Sequence, residues 1–209
     1  RGPVIEWYLF VKIMIENNYE TFHQLVPKSG RVLDLGCGYG FLPYMLKLTS
    51  SQRTIEAVDY DEEKIKIAQN AVLKDDRIEF AYADVTTYEF TRTYDAIIIS
   101  DVLHYFSEEK QRALVDKCIK HLNYRGVLIV RDADVQENNK QWVTNLSEIF
   151  SSKILKFNKT VNQNMEFVSL VKILSDISSL YNVTLEKVSV QKNTSNVIYK
   201  ITSHEQHGA

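Results

Sequence analysis

The run Val32-Leu33-Asp34-Leu35-Gly36-Cys37-Gly38-Tyr39-Gly40 constrains this chain more than any other stretch. A short apolar segment ends in three glycines at alternate positions, and the chain has only 7 Gly in 209 residues. Glycine lacks a Cβ, so it accepts backbone angles that other residues avoid and lets a ligand approach the main chain. An apolar strand, a glycine turn and then a helix aim backbone N–H groups and a helix start at one point, where a ligand binds. Which ligand that is must be read from the rest of the chain.

The flanking segments predict strand–helix alternation. Residues 4–26 read as a helix with a broad apolar face, from Trp7, Tyr8 and Phe10 through Ile15. Arg31 to Leu35 reads as a strand, and a helix follows from about Gly40 with Pro43 in its first turn, where a missing N–H costs little. Thr54 to Val58 reads as a strand, Asp61 to Leu73 as an amphipathic helix and Arg77 to Tyr82 as a third strand. Tyr94 to Ser100 holds Ala96-Ile97-Ile98-Ile99, a strand buried on both faces. Ser107 is expected to cap a helix that turns Leu114, Cys118, Ile119 and Leu122 inward. A turn over Asn123–Gly126 leads into a fifth strand, Val127 to Val130. Beyond Trp142, helices are expected over Gln141–Phe150 and Glu166–Leu180, and closing strands near Val183–Val190 and Val197–Thr202. Such alternation predicts a parallel sheet covered by helices on both faces.

Composition narrows the partners. Hydrophobic residues make up 44% and charged residues 25%, ordinary values for a globular domain. A net charge of -2 offers no electrostatic footprint for nucleic acid. The two cysteines, Cys37 and Cys118, suggest no disulfide framework and fit a reducing compartment. No apolar run is long enough to cross a bilayer and no signal peptide is read, so the expected location is cytoplasmic. Arg1 in place of Met suits either a fragment of a longer chain or a trimmed N-terminus.

Three acidic positions decide between ligand classes. A dinucleotide site of the Gly-x-Gly-x-x-Gly type would need glycine at position 41, which is Phe41. Asp59 closes the second strand, where a carboxylate can accept from both ribose hydroxyls. Ala83-Asp84-Val85 follows the third strand; a carboxylate there can accept from an adenine amino group while the next N–H donates to the ring. Ser100-Asp101-Val102-Leu103-His104-Tyr105 closes the fourth. Each alone also reads as a solvated loop acid, but all fall at strand C-termini on one sheet edge, where open α/β folds bind ligands.

On these motifs the chain resembles the class I S-adenosylmethionine-dependent methyltransferases from about Gly30 to Asp134. VLDLGCGYG matches their glycine motif, AVDYD their ribose acid, YADV their adenine acid and YDAIIISDVLHYF their fourth-strand motif. The resemblance implies a Rossmann-like, seven-stranded, mostly parallel sheet with an antiparallel last strand. It also implies S-adenosylmethionine as cofactor. Asp34 with Gly36, Cys37 and Gly38 would hold the methionine portion and Asp59 the ribose. Tyr60 would flank the adenine, Asp84 and Val85 read its edge, and Ser100 and Asp101 line the floor near the methyl group. No metal is implied. The chain is expected to be one domain: an N-terminal helical cap over 1–28, a cofactor-binding core over 29–134, and closing helices and strands over 135–209. Around GPVIEWY and GYGFLPYML it also resembles the methyltransferase domain at the C-terminal end of bacterial fusion proteins with transporter-like and acyltransferase domains. That likeness implies a tether to upstream domains, through which the chain would be membrane-associated.

The acceptor is the open question. There is no Asn-Pro-Pro-Tyr or Pro-Cys at the fourth strand, which argues against adenine, glutamine-amide or cytosine methylation and leaves a small-molecule or lipid-like acceptor. His104 is the foremost candidate base, ahead of Tyr105, Asp132, His23 and Tyr8. Arg131 reads either as a partner for an acidic substrate or as a solvated edge charge, and Cys37 as a small apolar neighbour of the cofactor. Trp7, Tyr8 and Phe10 are expected to shape an acceptor pocket, against the alternatives of a helix packed on the sheet edge or a docking surface. The competing functions are a non-catalytic adenosylmethionine-binding or partner domain and a nicotinamide-dependent oxidoreductase.

Overall fold

A computed structural model describes residues 19–71, 76–133, 169–188 and 196–205. The elements in chain order are α1 (Tyr19–Leu25), β1 (Gly30–Leu35), α2 (Phe41–Thr49), β2 (Arg53–Asp59), α3 (Glu62–Gln69) and β3 (Ile78–Tyr82). They continue with β4 (Tyr94–Ser100), a 3-10 turn at Leu103–Tyr105, α4 (Glu108–Lys120), β5 (Leu122–Ala133), α5 (Leu170–Ser178), β6 (Val183–Val188) and β7 (Asn196–Ser203).

The strands form one seven-stranded sheet in the order β3-β2-β1-β4-β5-β7-β6. The pairs among β1 to β5 are parallel, and β7 runs antiparallel to both β5 and β6. The expected sheet with an antiparallel last strand is therefore present. Alternate residues of the central strands face two cores. Leu33, Leu35, Ile97 and Ile99 pack with Leu114, Ile119, Leu170 and Leu174 of α4 and α5. Val32, Ala96, Ile98 and Ile129 pack with Phe22 of α1 and with Leu42 and Leu46 of α2. A period of two along strands covered on both faces produces this division.

Several boundaries differ from the sequence reading. The helix expected over Asp61–Leu73 is assigned from Glu62 to Gln69. Asp61 sits just outside it, because its carboxylate accepts from the N–H groups of Glu63 and Lys64 and so caps the helix. Ser107 occupies the cap position of α4 but makes no side-chain cap bond. Leu122 belongs to β5, not to the preceding helix, and the turn expected over Asn123–Gly126 lies inside that strand. The register shift between Tyr94 and Ala96 absorbs it, with Tyr94 opposite Leu122 and Ala96 opposite Val127. Residues 4–18 of the first expected helix, with Trp7, Tyr8 and Phe10, lie outside the described residues, as does the helix expected over Gln141–Phe150. Among the described residues no helix is long and apolar enough to cross a membrane.

Arg53 anchors α1 and α2 to the sheet. Its side chain is fully buried at the start of β2. Nε donates to Pro27 O at 2.7 Å, Nη1 to Leu46 O at 2.7 Å and Nη2 to Val26 O at 2.9 Å. Val26 and Pro27 follow the last residue of α1, and Leu46 lies in the last turn of α2, where it also accepts from the N–H of Ser50.

Candidate cofactor and acceptor site

The glycine turn joins β1 to α2 at the C-terminal edge of the sheet, between β2 and β4. Gly36 has φ +85, and a Cβ there would stand 2.2 Å from Val102 Cγ2. Both the backbone angle and the close approach of the β4 exit therefore require glycine. Gly38 also has a positive φ, +56, but a Cβ there would meet nothing within 4 Å. Its backbone N–H donates to Asp59 Oδ2 at 2.7 Å, while Asp59 Oδ1 accepts from the N–H of Asp61 at 2.9 Å. Asp59 thus ties the turn to the end of β2.

Asp34 lies on β1 and is 2% exposed. Its Oδ2 is buried without a hydrogen-bond partner. Burial, reinforced by the charge of Asp59, raises its carboxyl to about 7. An acid held this way next to an open turn suits a cationic group such as an ammonium. Cys37 is held as a thiol: burial first, then the charges of Asp34 and Asp59, push it well above the ordinary range. That suits a small neutral neighbour rather than a nucleophile.

The positions expected on the adenine side lie at the ends of β2 and β3. Tyr60 is exposed directly after Asp59. Asp84 is exposed, and its Oδ1 accepts from the N–H and the hydroxyl of Thr86, each at 2.8 Å, which fixes the turn after β3. Val85 is buried in the core, so only its backbone is free to face a ring edge.

The ends of β4 and β5 carry the acceptor-side candidates. Asp101 has φ +58, uncommon for a residue with a Cβ, and its carboxylate pairs with Arg131 Nη1 and lies 3.4 Å from Ser100 Oγ. Arg131 is 3% exposed, so the reading of a solvated edge charge is overturned. Its strand lies beside β4 in a register that puts Ser100 opposite Arg131. His104 sits in the 3-10 turn and is buried. Its Nδ1 lies 2.7 Å from Asp132 Oδ1, and its backbone N–H donates to Asp132 Oδ2 at 3.2 Å. The Tyr105 ring centroid lies 4.1 Å from that of His104. Burial alone pulls the imidazole down, but the charge and hydrogen bond of Asp132, with Asp101 behind it, reverse this and place it above the ordinary histidine value.

Sequence reasoning missed both pairings across β4 and β5. Arg131-Asp132 follows Val127–Val130 directly, so two charges at the end of an apolar strand were the available signal. Tyr8 lies outside the described residues. His23 lies on α1, where Lys28 Nζ and Arg53 Nη1 face its ring nitrogens at 2.7 and 3.5 Å. That is the Arg53 end of the sheet, which removes His23 from the acceptor side.

Residues 32–126 match a family described as a methyltransferase domain. A carboxy-S-adenosyl-L-methionine synthase of Campylobacter concisus is 27% identical over 132 residues, which is 63% of this chain and 56% of the synthase. The chain thus spans little more than half the length of that relative. An uncharacterized methyltransferase of Staphylococcus carnosus is 24% identical over 178 residues, 85% of this chain and 81% of the relative. Among solved structures, the N-methyltransferase NodS of Bradyrhizobium japonicum WM9, in complex with S-adenosyl-L-homocysteine, superposes with a TM-score of 0.66 at 14% identity. That match covers 91% of this chain and 87% of NodS. The family match over residues 32–126, the seven-stranded topology and the glycine turn tied to the acid of β2 agree with one another: over that stretch the chain is similar to methyltransferase domains, and it shares the fold of NodS in its S-adenosyl-L-homocysteine complex.

Proposed function

We propose that this chain transfers the methyl group of S-adenosylmethionine to an oxygen, nitrogen or carbon of a small-molecule or lipid-like acceptor, with His104 taking the acceptor's proton. The observation that carries the reading is the buried His104–Asp132 pair, at 2.7 Å, beside the cofactor edge of the sheet. A positioned imidazole is needed only when the acceptor atom sheds a proton as the methyl group arrives.

In this reading Asp34 and the backbone of Gly36 to Gly38 hold the methionine portion, and Asp59 the ribose. Tyr60, Asp84 and Val85 hold the adenine. Ser100 and Asp101 form the floor, and Tyr105 and Arg131 border the acceptor. The cap over 1–28, the core over 29–134 and the closing segments over 135–209 act as one domain. Bound S-adenosylmethionine supplies a sulfonium methyl group, which an aligned nucleophile displaces in line. Alignment at about 3–3.5 Å carries much of the acceleration, because proximity removes entropy from the barrier. The missing Asn-Pro-Pro-Tyr and Pro-Cys motifs and the net charge of -2 favour such an acceptor over a nucleic acid.

The test is label transfer from methyl-labelled S-adenosylmethionine into metabolite and lipid extracts, with products identified by mass spectrometry. With an acceptor identified, His104→Gln should keep cofactor affinity and lose about 10²–10⁴ in turnover. Near-normal turnover in that variant would remove the base. Cofactor binding with no transfer to any extract would favour a non-catalytic binding domain.

A further inference from the structure

We infer that Asp132 is the positioning residue that makes His104 a base: it fixes the ring with its proton on Nδ1, places the accepting lone pair on Nε2, and holds the imidazolium that forms. The inference rests on the proposed role of His104 and adds what makes that role chemically possible.

A neutral imidazole has one N–H and one lone pair, and the group facing one nitrogen decides where the proton sits. Nδ1 faces Asp132 Oδ1 at 2.7 Å, and an ionised carboxylate only accepts, so Nδ1 carries the proton. The second oxygen of the same carboxylate accepts from the backbone N–H of His104 at 3.2 Å. One side chain thus holds both the ring and the main chain of the turn. Asp132 is itself 3% exposed, so its charge is little screened by water.

The surroundings set the charge of the cluster. Asp132 reaches His104 from β5, the charge of Asp101 acts on it from the exit of β4, and Tyr105 packs on the ring. Arg131 pairs with Asp101, and Asp132 is the carboxylate that contacts the imidazole. During transfer the acceptor atom bonds to the methyl carbon through a lone pair, its proton passes to Nε2, and the electron pair of the broken S–C bond stays on sulfur. The positive charge so moves from the sulfonium to an imidazole already in contact with the Asp132 carboxylate.

The experiment is ring 15N NMR on the full chain saturated with S-adenosyl-L-homocysteine, with the His104 signals assigned by their loss in His104→Gln. The native ring should show the Nδ1–H tautomer when neutral and titrate above the ordinary histidine value. Asp132→Asn should move that midpoint down by about one pH unit or more. It should also populate the Nε2–H tautomer, because an amide can present its own N–H to the ring. Asp132→Glu, which keeps the charge, should restore a midpoint above the ordinary value. A native Nε2–H tautomer would overturn the inference, and so would an unchanged midpoint in Asp132→Asn. The native measurement decides the tautomer even if no Asp132 variant folds. Normal turnover in His104→Gln together with a native Nδ1–H tautomer would remove the base and leave the positioning by Asp132 standing.

Discussion

The Gly38 N–H donates to the Asp59 carboxylate at 2.7 Å, so the turn after β1 is held by the acid that ends β2. The two residues are 21 positions apart, and the contact forms because β1 and β2 pair in parallel with Asp34 opposite Ala57 and Leu35 opposite Val58. The assignment of Asp59 to the ribose predicts two losses in Asp59→Ala: the ribose acceptor and the tie on the turn. S-adenosyl-L-homocysteine affinity should fall by roughly 10- to 150-fold, the equivalent of about 1.5–3 kcal/mol for hydrogen bonds to a charged group. Titration calorimetry checks this, and unchanged affinity would remove the ribose assignment.

The glycines of the turn should separate by kind. Gly36→Ala drives a Cβ to within 2.2 Å of Val102 Cγ2 at φ +85, so the core must shift as well as the backbone strain. It should lower stability by at least about 2 kcal/mol, from the left-handed backbone and overpacking together. Gly38→Ala meets no atom within 4 Å and pays only for its backbone angle, about 1–2 kcal/mol. Urea unfolding of the two variants side by side gives the comparison, and equal losses would contradict it.

Asp34 should link cofactor binding to pH. Its carboxyl titrates at about 7 in this structure, against an ordinary value of 3.8, because burial disfavours the ionised form. With the folded value raised above the unfolded one, the group's contribution to stability is complete below about pH 4 and is lost as pH rises through about 7. That loss amounts to about 4 kcal/mol at high pH, at 1.36 kcal/mol per unit. An ammonium seated on Asp34 favours the carboxylate, so binding S-adenosyl-L-homocysteine below pH 7 should release a proton and weaken as pH falls. Calorimetry in buffers of different ionisation enthalpy measures the release, which Asp34→Asn should abolish.

Arg53 should carry more stability than any surface charge. Truncation to Ala removes the guanidinium donor from the carbonyls of Val26 and Pro27, and one of several donors from that of Leu46. The expected loss is about 3–5 kcal/mol, in the range of a broken buried charge network. Arg53→Lys should recover little, because a single ammonium cannot span the ends of two helices as a guanidinium does. Chemical denaturation of both variants would show this, and full recovery by Lys would contradict it.

The local code of this chain was legible without a fold. VLDLGCGYG, Asp59, Asp84 and the apolar run before Ser100 announce themselves by spacing alone, because strands, turns and helix starts are set by residues a few positions apart. Their order along an alternating chain also determined the sheet class, and with it the edge on which they gather. What tertiary structure decided is how charges at different strand ends meet. Arg131 reads the same in sequence whether solvated or buried, and only the adjacency of β4 and β5, with Ser100 opposite Arg131, brings it to Asp101. The same adjacency delivers Asp132 to His104 across 28 positions, and parallel pairing of β1 with β2 lets Arg53 reach Pro27. Strand pairing is a non-local choice made by the whole core, so it leaves no short-range trace in the residues that it joins.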